Sequence, residues 1–221
     1  MSRQALVIGL GRFGTALARA LSEQGSEVLA VDNDPAHVDA IAPYVADAVV
    51  LDAKDESELA GLAPSRRDVC VCAIGDEHRE DSIIVTALLK QLGAKVIIAR
   101  ASSTLHGRIL GLVGAHEVLN PERAFGERLA VRLAWRHVVN VMPLGGELVL
   151  TEIEAPESLW GRTLAELDLP RRFSVTVSAV RRDDPGGARV SIPDPRAPIQ
   201  RGDVLVLVSK EEDARRLTER V

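Results

Sequence analysis

The chain has 221 residues, 27 basic and 32 acidic side chains, a net charge of −5 and 46% hydrophobic residues. Without a basic excess, nucleic-acid binding is not expected, and no apolar run approaches the roughly 20 residues that cross a bilayer. Met1-Ser2-Arg3 leads directly into an apolar run with no signal peptide, so a cytoplasmic protein with one large core or two smaller ones is expected.

Six strands are predicted in the first part of the chain, at residues 6–8, 28–31, 45–51, 69–74, 96–99 and 118–119. They are short, β-branched and nearly continuous in apolar character, as parallel strands buried on both faces are. Helix signals lie between them. Asp34-Pro35 is a cap followed by proline at the first helical position. Asp55 with Glu58 three residues on is close to a capping box. Gly25 and Gly93 stand where C-terminal glycine caps belong. This alternation predicts an α/β fold, a Rossmann-like doubly wound parallel sheet.

Asn120-Pro121-Glu122 opens a longer helix to about residue 137, with Phe125, Leu129 and Leu133 at i, i+4 and i+8. Such a stripe packs either on its own domain or on a second one. Coming after the sheet is complete, it is expected to cross to a second domain or subunit. Beyond it the texture changes to that of a smaller α+β C-terminal domain. Residues 147–154 alternate, 163–167 form a short helix, and 174–180 a strand. A turn at 184–187 leads to 189–192, and Pro193, Pro195 and Pro198 stiffen a loop. A strand at 203–208 and a helix at 211–220 close the chain. The expected organisation is 1–120, a crossover at 121–143, and 144–221.

Between the first strand and helix stands Gly9-Leu10-Gly11-Arg12-Phe13-Gly14, and Asp32 ends the second strand eighteen residues beyond Gly14. A G-x-G-x-x-G between strand and helix, followed by an acid at the next strand tip, is the dinucleotide-binding fingerprint. Gly9 permits a tight turn, Gly11 lets backbone approach a pyrophosphate, and Gly14 lets the helix pack on the strand. The helix N-terminus offers free N–H groups and partial positive charge to phosphate oxygens. Asp32 accepts both hydroxyls of an unmodified ribose and repels a 2′-phosphate. An adenosine nucleotide of the NAD or ATP/ADP type is expected, not NADP.

Cys70 and Cys72 fall on one face of a single strand and have no further cysteine partner, so both read as apolar filler. The five histidines (37, 78, 106, 116 and 137) show no metal-ligand spacing and are placed mostly on polar helix or loop positions.

Residues Val7 to Gly14, Glu27 to Asp32, Ala73-Ile74-Gly75 and Asn120-Pro121-Glu122 resemble the cytosolic regulators of Ktr/Trk potassium-uptake channels, the RCK (KTN) domain family. Residues 161–168 and 199–206 resemble that family's C-terminal domain, so the resemblance spans essentially the whole chain. The single-repeat length is similar to that of KtrA-type subunits rather than of the two-repeat TrkA type. The resemblance implies a non-enzymatic, nucleotide-sensing gate. It would assemble as dimers in an octameric ring beneath a membrane potassium-translocating subunit (KtrB/TrkH-like), on the inner face of the cell membrane. ATP and ADP would favour different ring shapes.

Carried onto this chain, the resemblance makes Gly9, Gly11 and Gly14 the phosphate turn, with Phe13 beside them, and Asp32 the ribose acid next to Asn33. Arg12 would touch the terminal phosphate across the dimer, and Glu122 would lie by the phosphates where Mg or another cation binds. Asp52, Ala53 and Asp55 would form the adenine-side loop; relatives often carry Asn at the Asp52 position. Ala73, Gly75 and Asp76 would line the cleft, faced by Arg100. Some relatives bind cyclic di-AMP in the C-terminal domain, where Arg171, Arg172, Phe173 and Ile192-Pro193 would contribute. An arginine at position 12 is suited to reading a γ-phosphate bidentately.

Two alternatives stand beside this reading. An NAD(H)-sensing TrkA-like regulator suits Asp32 equally well. An NAD-dependent oxidoreductase is less compatible: Tyr44 is the single tyrosine, so no Tyr-x-x-x-Lys pair exists. The C-terminal domain also shows no general-base arrangement.

Overall fold

In the computed structural model the six apolar runs form one parallel sheet: β1 Gln4–Ile8, β2 Glu27–Asp32, β3 Asp47–Val50, β4 Val69–Cys72, β5 Ile97–Arg100 and β6 Glu117–Leu119. Their order is β3-β2-β1-β4-β5-β6. The structure describes residues 2–184 and 187–220, and the chain divides into units Met1–Pro121 and Glu122–Val221. Alternate residues of β1, β2 and β4 enter separate cores, as the period of two requires. Leu6, Ile8, Val31, Cys70, Cys72 and Ile97 pack with Leu59 of α3 (Glu56–Gly61), Val85 and Leu89 of α4 (Arg79–Gln91) and Leu110 of α5 (Thr104–Val113). Val7, Val28, Ala30 and Val71 pack instead with Ala18 of α1 (Arg12–Glu23) and Val38 and Ile41 of α2 (Pro35–Ile41). Both faces are therefore covered, which is why the strands read as continuous apolar runs.

The helix punctuation follows local chemistry. Asp34 caps α2 by accepting from the Ala36 N–H at 2.9 Å. Asp55 caps α3 by accepting from Ser57 and Glu58 N–H groups at 2.8 and 3.1 Å. Glu58 accepts from the Asp52 N–H at 3.1 Å, tying the loop after β3 to α3. Gly25 and Gly93 take φ of +82° and +76° at their helix ends. Among the described residues no helix is long and apolar enough to cross a membrane.

The second unit carries a five-stranded antiparallel sheet of β7 Val138–Gly145, β8 Leu148–Glu154, β9 Thr176–Asp184, β10 Gly187–Ser191 and β11 Val204–Lys210, ordered β10-β9-β11-β8-β7. Its core joins Ile153, Leu205 and Leu207 to Leu159, Leu167, Phe173 and Leu217. Among the described residues its α-helices are α6 Pro121–Ala134, which begins at the boundary, α7 Leu164–Leu167, α8 Leu169–Phe173 and α9 Glu211–Arg220. The expected crossover at 121–143 is only partly helical. Residues from Val138 onward are the edge strand β7, and Pro143 is tolerated there beside a register shift. Helix α8 was not expected; Pro170 stands in its first turn, where its missing N–H is harmless. In the expected turn at 184–187, positions 185 and 186 lie outside the described residues.

On α6 no side chain is buried, and Phe125 and Leu133 are 61% and 76% exposed. An ion pair between a partly exposed guanidinium and a buried carboxylate ties β9 to the loop before β11. Arg182 donates to both carboxylate oxygens of Asp203, at 2.7 and 3.0 Å. Thr163 and Glu166 form a reciprocal capping box on α7.

Candidate functional site

The fingerprint glycines meet different physical demands. Gly9 has φ +92°, and a Cβ there would lie 2.9 Å from the Ile74 nitrogen, so only glycine makes this turn without strain. Its N–H donates to the Val31 carbonyl at 2.8 Å, which fixes the turn on β2. A Cβ on Gly14 would fall 1.8 Å from the Gly9 oxygen, so α1 begins directly against the turn. Gly11 is different. Its φ is −63°, and nothing lies within 4 Å of a would-be Cβ. No side chain caps α1 and no acid stands in its first turn. The N–H groups and positive end of this helix therefore face open space suited to an anion.

Asp32, at the end of β2, binds the same loop. One carboxylate oxygen accepts from the Leu10 N–H and the other from the Asp34 N–H at 2.9 Å. His37 Nδ1 lies 3.4 Å from that second oxygen. A carboxylate has about four acceptor positions, so it retains capacity for ribose hydroxyls while positioned by backbone.

A cavity of about 500 Å³ opens at the C-terminal ends of β1 to β5 and spans the point where strand order reverses between β1 and β4, the usual ligand position in such sheets. Of the expected residues, Gly9, Gly11, Asp32, Asn33, Asp52, Ala53, Ala73, Gly75, Asp76 and Arg100 line it. Arg100 approaches Asp76 at 4.0 Å, and its guanidinium carbon lies 6.0 Å from the Phe13 ring centre. Phe13 thus supports Arg100 rather than lining the cavity. Arg12 occupies the first turn of α1, exposed and outside the cavity wall. Asp55 is committed to capping α3 and does not line the cavity either. Glu122 is exposed on the first turn of α6.

The lining also contains residues that the sequence reading left without a role: His37, Lys54, His78 and Asp81. Lys54 Nζ is 3.3 Å from Asp81 and 3.8 Å from Asp52, and His78 is 3.6 Å from Asp81. Six carboxylates line the cavity, at 32, 34, 52, 76, 77 and 81, against Lys54 and Arg100. Their spacing does not make a cation cage: among the described residues no three His, Cys, Asp or Glu side chains gather as metal ligands.

Four of the five histidines are exposed, as expected; His106 is the exception, at 5% exposure. Its Nδ1 accepts from the Ser102 N–H at 3.3 Å, leaving Nε2–H to donate to Ser82 Oγ at 2.8 Å. Ser82 in turn donates to the Arg79 carbonyl. This chain joins α5 to the first turn of α4 at the rim of the cavity. Burial, and then Arg79, hold the imidazole below its usual pKa, with Asp76 opposing. Cys70 and Cys72 are free and fully buried in the core, as apolar filler is.

The TrkA-N domain family matches residues 5–121 and the TrkA-C domain family residues 148–221. Ktr system potassium uptake protein C of Bacillus subtilis is 34% identical, covering 100% of this chain and 98% of that protein. Ktr system potassium uptake protein A of Vibrio alginolyticus is 33% identical over 95% of this chain and 94% of its own. Among solved structures the GsuK RCK domain superposes with a TM-score of 0.69 at 19% identity, over 99% of this chain and 47% of that one. The GsuK channel bound to NAD gives 0.66 at 18% identity (96% and 38%), and GsuK bound to ADP gives 0.52 at 22% (60% and 35%). At such identities the likeness to GsuK concerns the fold. The parallel sheet with its glycine turn, the antiparallel second unit and the full-length similarity to the Ktr proteins together make this chain a member of the TrkA-N/TrkA-C (RCK) family of potassium-uptake proteins.

Proposed function

We propose that this chain is the cytosolic nucleotide-sensing subunit of a Ktr-type potassium-uptake system. In this role it docks as a ring of dimers beneath a membrane potassium-translocating subunit and performs no catalysis. The observation that carries the reading is the cavity itself. It joins an uncapped helix N-terminus, an open approach at Gly11 and an Asp32 carboxylate held by two backbone N–H groups. Phosphate would rest on the turn, the ribose on Asp32 and the base between Asp52-Ala53 and Ala73-Gly75. The names of the Ktr relatives support the transport role, and GsuK, which shares the fold, has been seen with NAD and with ADP.

The ligands proposed are ATP and ADP. A ligand shifts an equilibrium only through differential affinity, so an ATP/ADP switch needs a group that reads the terminal phosphate. Arg12, exposed beside the turn, supplies that group toward a neighbouring subunit's nucleotide. Glu122 contributes to a cation such as Mg, whose other ligands come from phosphate oxygens. The exposed Phe125 and Leu133 on α6 support a crossover toward a second subunit. Cyclic di-AMP at the second unit remains part of the ligand panel.

A thermal-shift series on the purified chain with ATP, ADP, NADH, NADPH and cyclic di-AMP tests the reading. Stabilisation by ATP and ADP, with little from NADPH, is expected. A response to NADH alone would overturn the ATP/ADP assignment in favour of an NAD(H) sensor. Arg12→Ala should bring the ATP/ADP affinity ratio toward one while ADP binding persists; an undiminished ATP preference would remove Arg12 as the sensor.

A further inference from the structure

The cavity wall after β3 and along the start of α4 carries apolar Leu51, Ala53 and Val85 and polar Asp52, Lys54 and Asp81, and these residues form the slot considered for the base. With phosphates on the glycine turn and ribose on Asp32, this slot is where a nucleotide's base reaches. Its polar equipment is unusual. Two carboxylates face one ammonium, which lies 3.3 Å from Asp81 Oδ1 and 3.8 Å from Asp52 Oδ2. The Lys54 backbone N–H also donates to Asp52 Oδ1 at 3.0 Å, so Asp52 and Lys54 are held as a unit.

The base edges differ in what they ask of such a pair. Adenine offers an amino donor beside a bare ring nitrogen, which accepts. Guanine offers a ring N–H and an amino group side by side, both donors. Carboxylates accept only, whereas an ammonium has three protons to give. Asp52 and Asp81 alone would suit guanine and repel the adenine ring nitrogen. At 3.3 and 3.8 Å the carboxylates hold the ammonium as ion pairs, the longer beyond hydrogen-bond reach, so at least one of its three protons stays available. Ammonium beside carboxylate is then a donor next to an acceptor, the complement of adenine.

We propose that Lys54 is the specificity-determining residue at the base end of the cleft, turning an acidic slot that favours guanine into one that selects adenine. The assignment rests on the nucleotide-binding reading above. It does not require Lys54 for folding, because its ion pairs are partly exposed and such pairs contribute little to stability.

The test is calorimetric titration of the full chain with ADP and with GDP, for wild type, Lys54→Ala and Lys54→Arg, with melting temperatures as controls. Wild type should prefer ADP. Lys54→Ala should lose roughly tenfold or more in ADP affinity, the worth of one hydrogen bond to a charged group. GDP affinity should hold or rise, while Lys54→Arg keeps the ADP preference. An ADP/GDP ratio unchanged by Lys54→Ala, with ADP still bound by wild type, overturns the assignment alone. Binding of neither nucleotide by wild type overturns the nucleotide reading and this assignment with it.

Discussion

Replacing Gly14 by alanine places a methyl group where the Gly9 carbonyl already stands. The new carbon would lie 1.8 Å from the Gly9 oxygen, 2.9 Å from its carbonyl carbon and 3.2 Å from Ala73 Cβ. Non-bonded carbon atoms settle at about 3.5–4.0 Å, so α1 would have to retreat by more than an ångström. No side-chain rotation relieves a clash with backbone, and the turn is also held by Val31 and Asp32. The cost should be about 3 kcal/mol, the upper range for overpacking. In a unit of this size that lowers the melting temperature by about 10 °C. Gly11→Ala is the matched control. Its φ suits any residue and its surroundings are empty, so stability should move by less than about 0.5 kcal/mol. ADP binding should nevertheless fall sharply, because the methyl group occupies the phosphate approach. Far-UV circular dichroism is the appropriate melt, since Trp135 and Trp160 both belong to the second unit and their fluorescence reports on it. A Gly14→Ala protein that melts with wild type, or a Gly11→Ala protein equally destabilised, would refute the reasoning.

Three further outcomes are expected. Asp203→Ala should cost the second unit about 2 kcal/mol in denaturant unfolding followed by tryptophan fluorescence, because it removes a 1% exposed carboxylate that accepts from Arg182 and from the Gln200 N–H; an unchanged midpoint would contradict this. His106 has a lower pKa folded than unfolded, so below about pH 6.5 the unfolded chain binds more protons and stability falls with acidification. His106→Gln should flatten that part of the pH dependence, and an equal slope in both proteins would rule His106 out. Burial pushes the thiols of Cys70 and Cys72 up to about 12 and 11. Neither should react with a disulfide reagent at pH 8 until the protein is unfolded, and rapid labelling of the native state would oppose that placement.

The parallel sheet was legible because burial on both faces leaves continuous apolar runs, and capping residues such as Asp34 and Asp55 mark helix starts by local chemistry. Strand β7 was not. It is an edge strand interrupted by Asn140 and Pro143 and broken in register, so it carries no clean alternation. At the site, the glycine turn and Asp32 announce themselves because their task is set by neighbours in sequence. The rim does not. Lys54 and Asp81 are brought together by the packing of α3 and α4 against different strands, and no local pattern encodes their meeting. The burial of His106 escaped for the same reason, since its partner Ser82 is 24 residues away on another helix.

The two backbone hydrogen bonds on Asp32 bear on any attempt to retarget this cleft. Converting such sites to 2′-phosphorylated cofactors ordinarily begins by exchanging the ribose acid for a neutral or basic residue. Here that exchange also cuts the Leu10 and Asp34 N–H groups from their acceptor. A redesigned pocket would have to furnish replacement acceptors for both amides before cofactor preference could be measured cleanly.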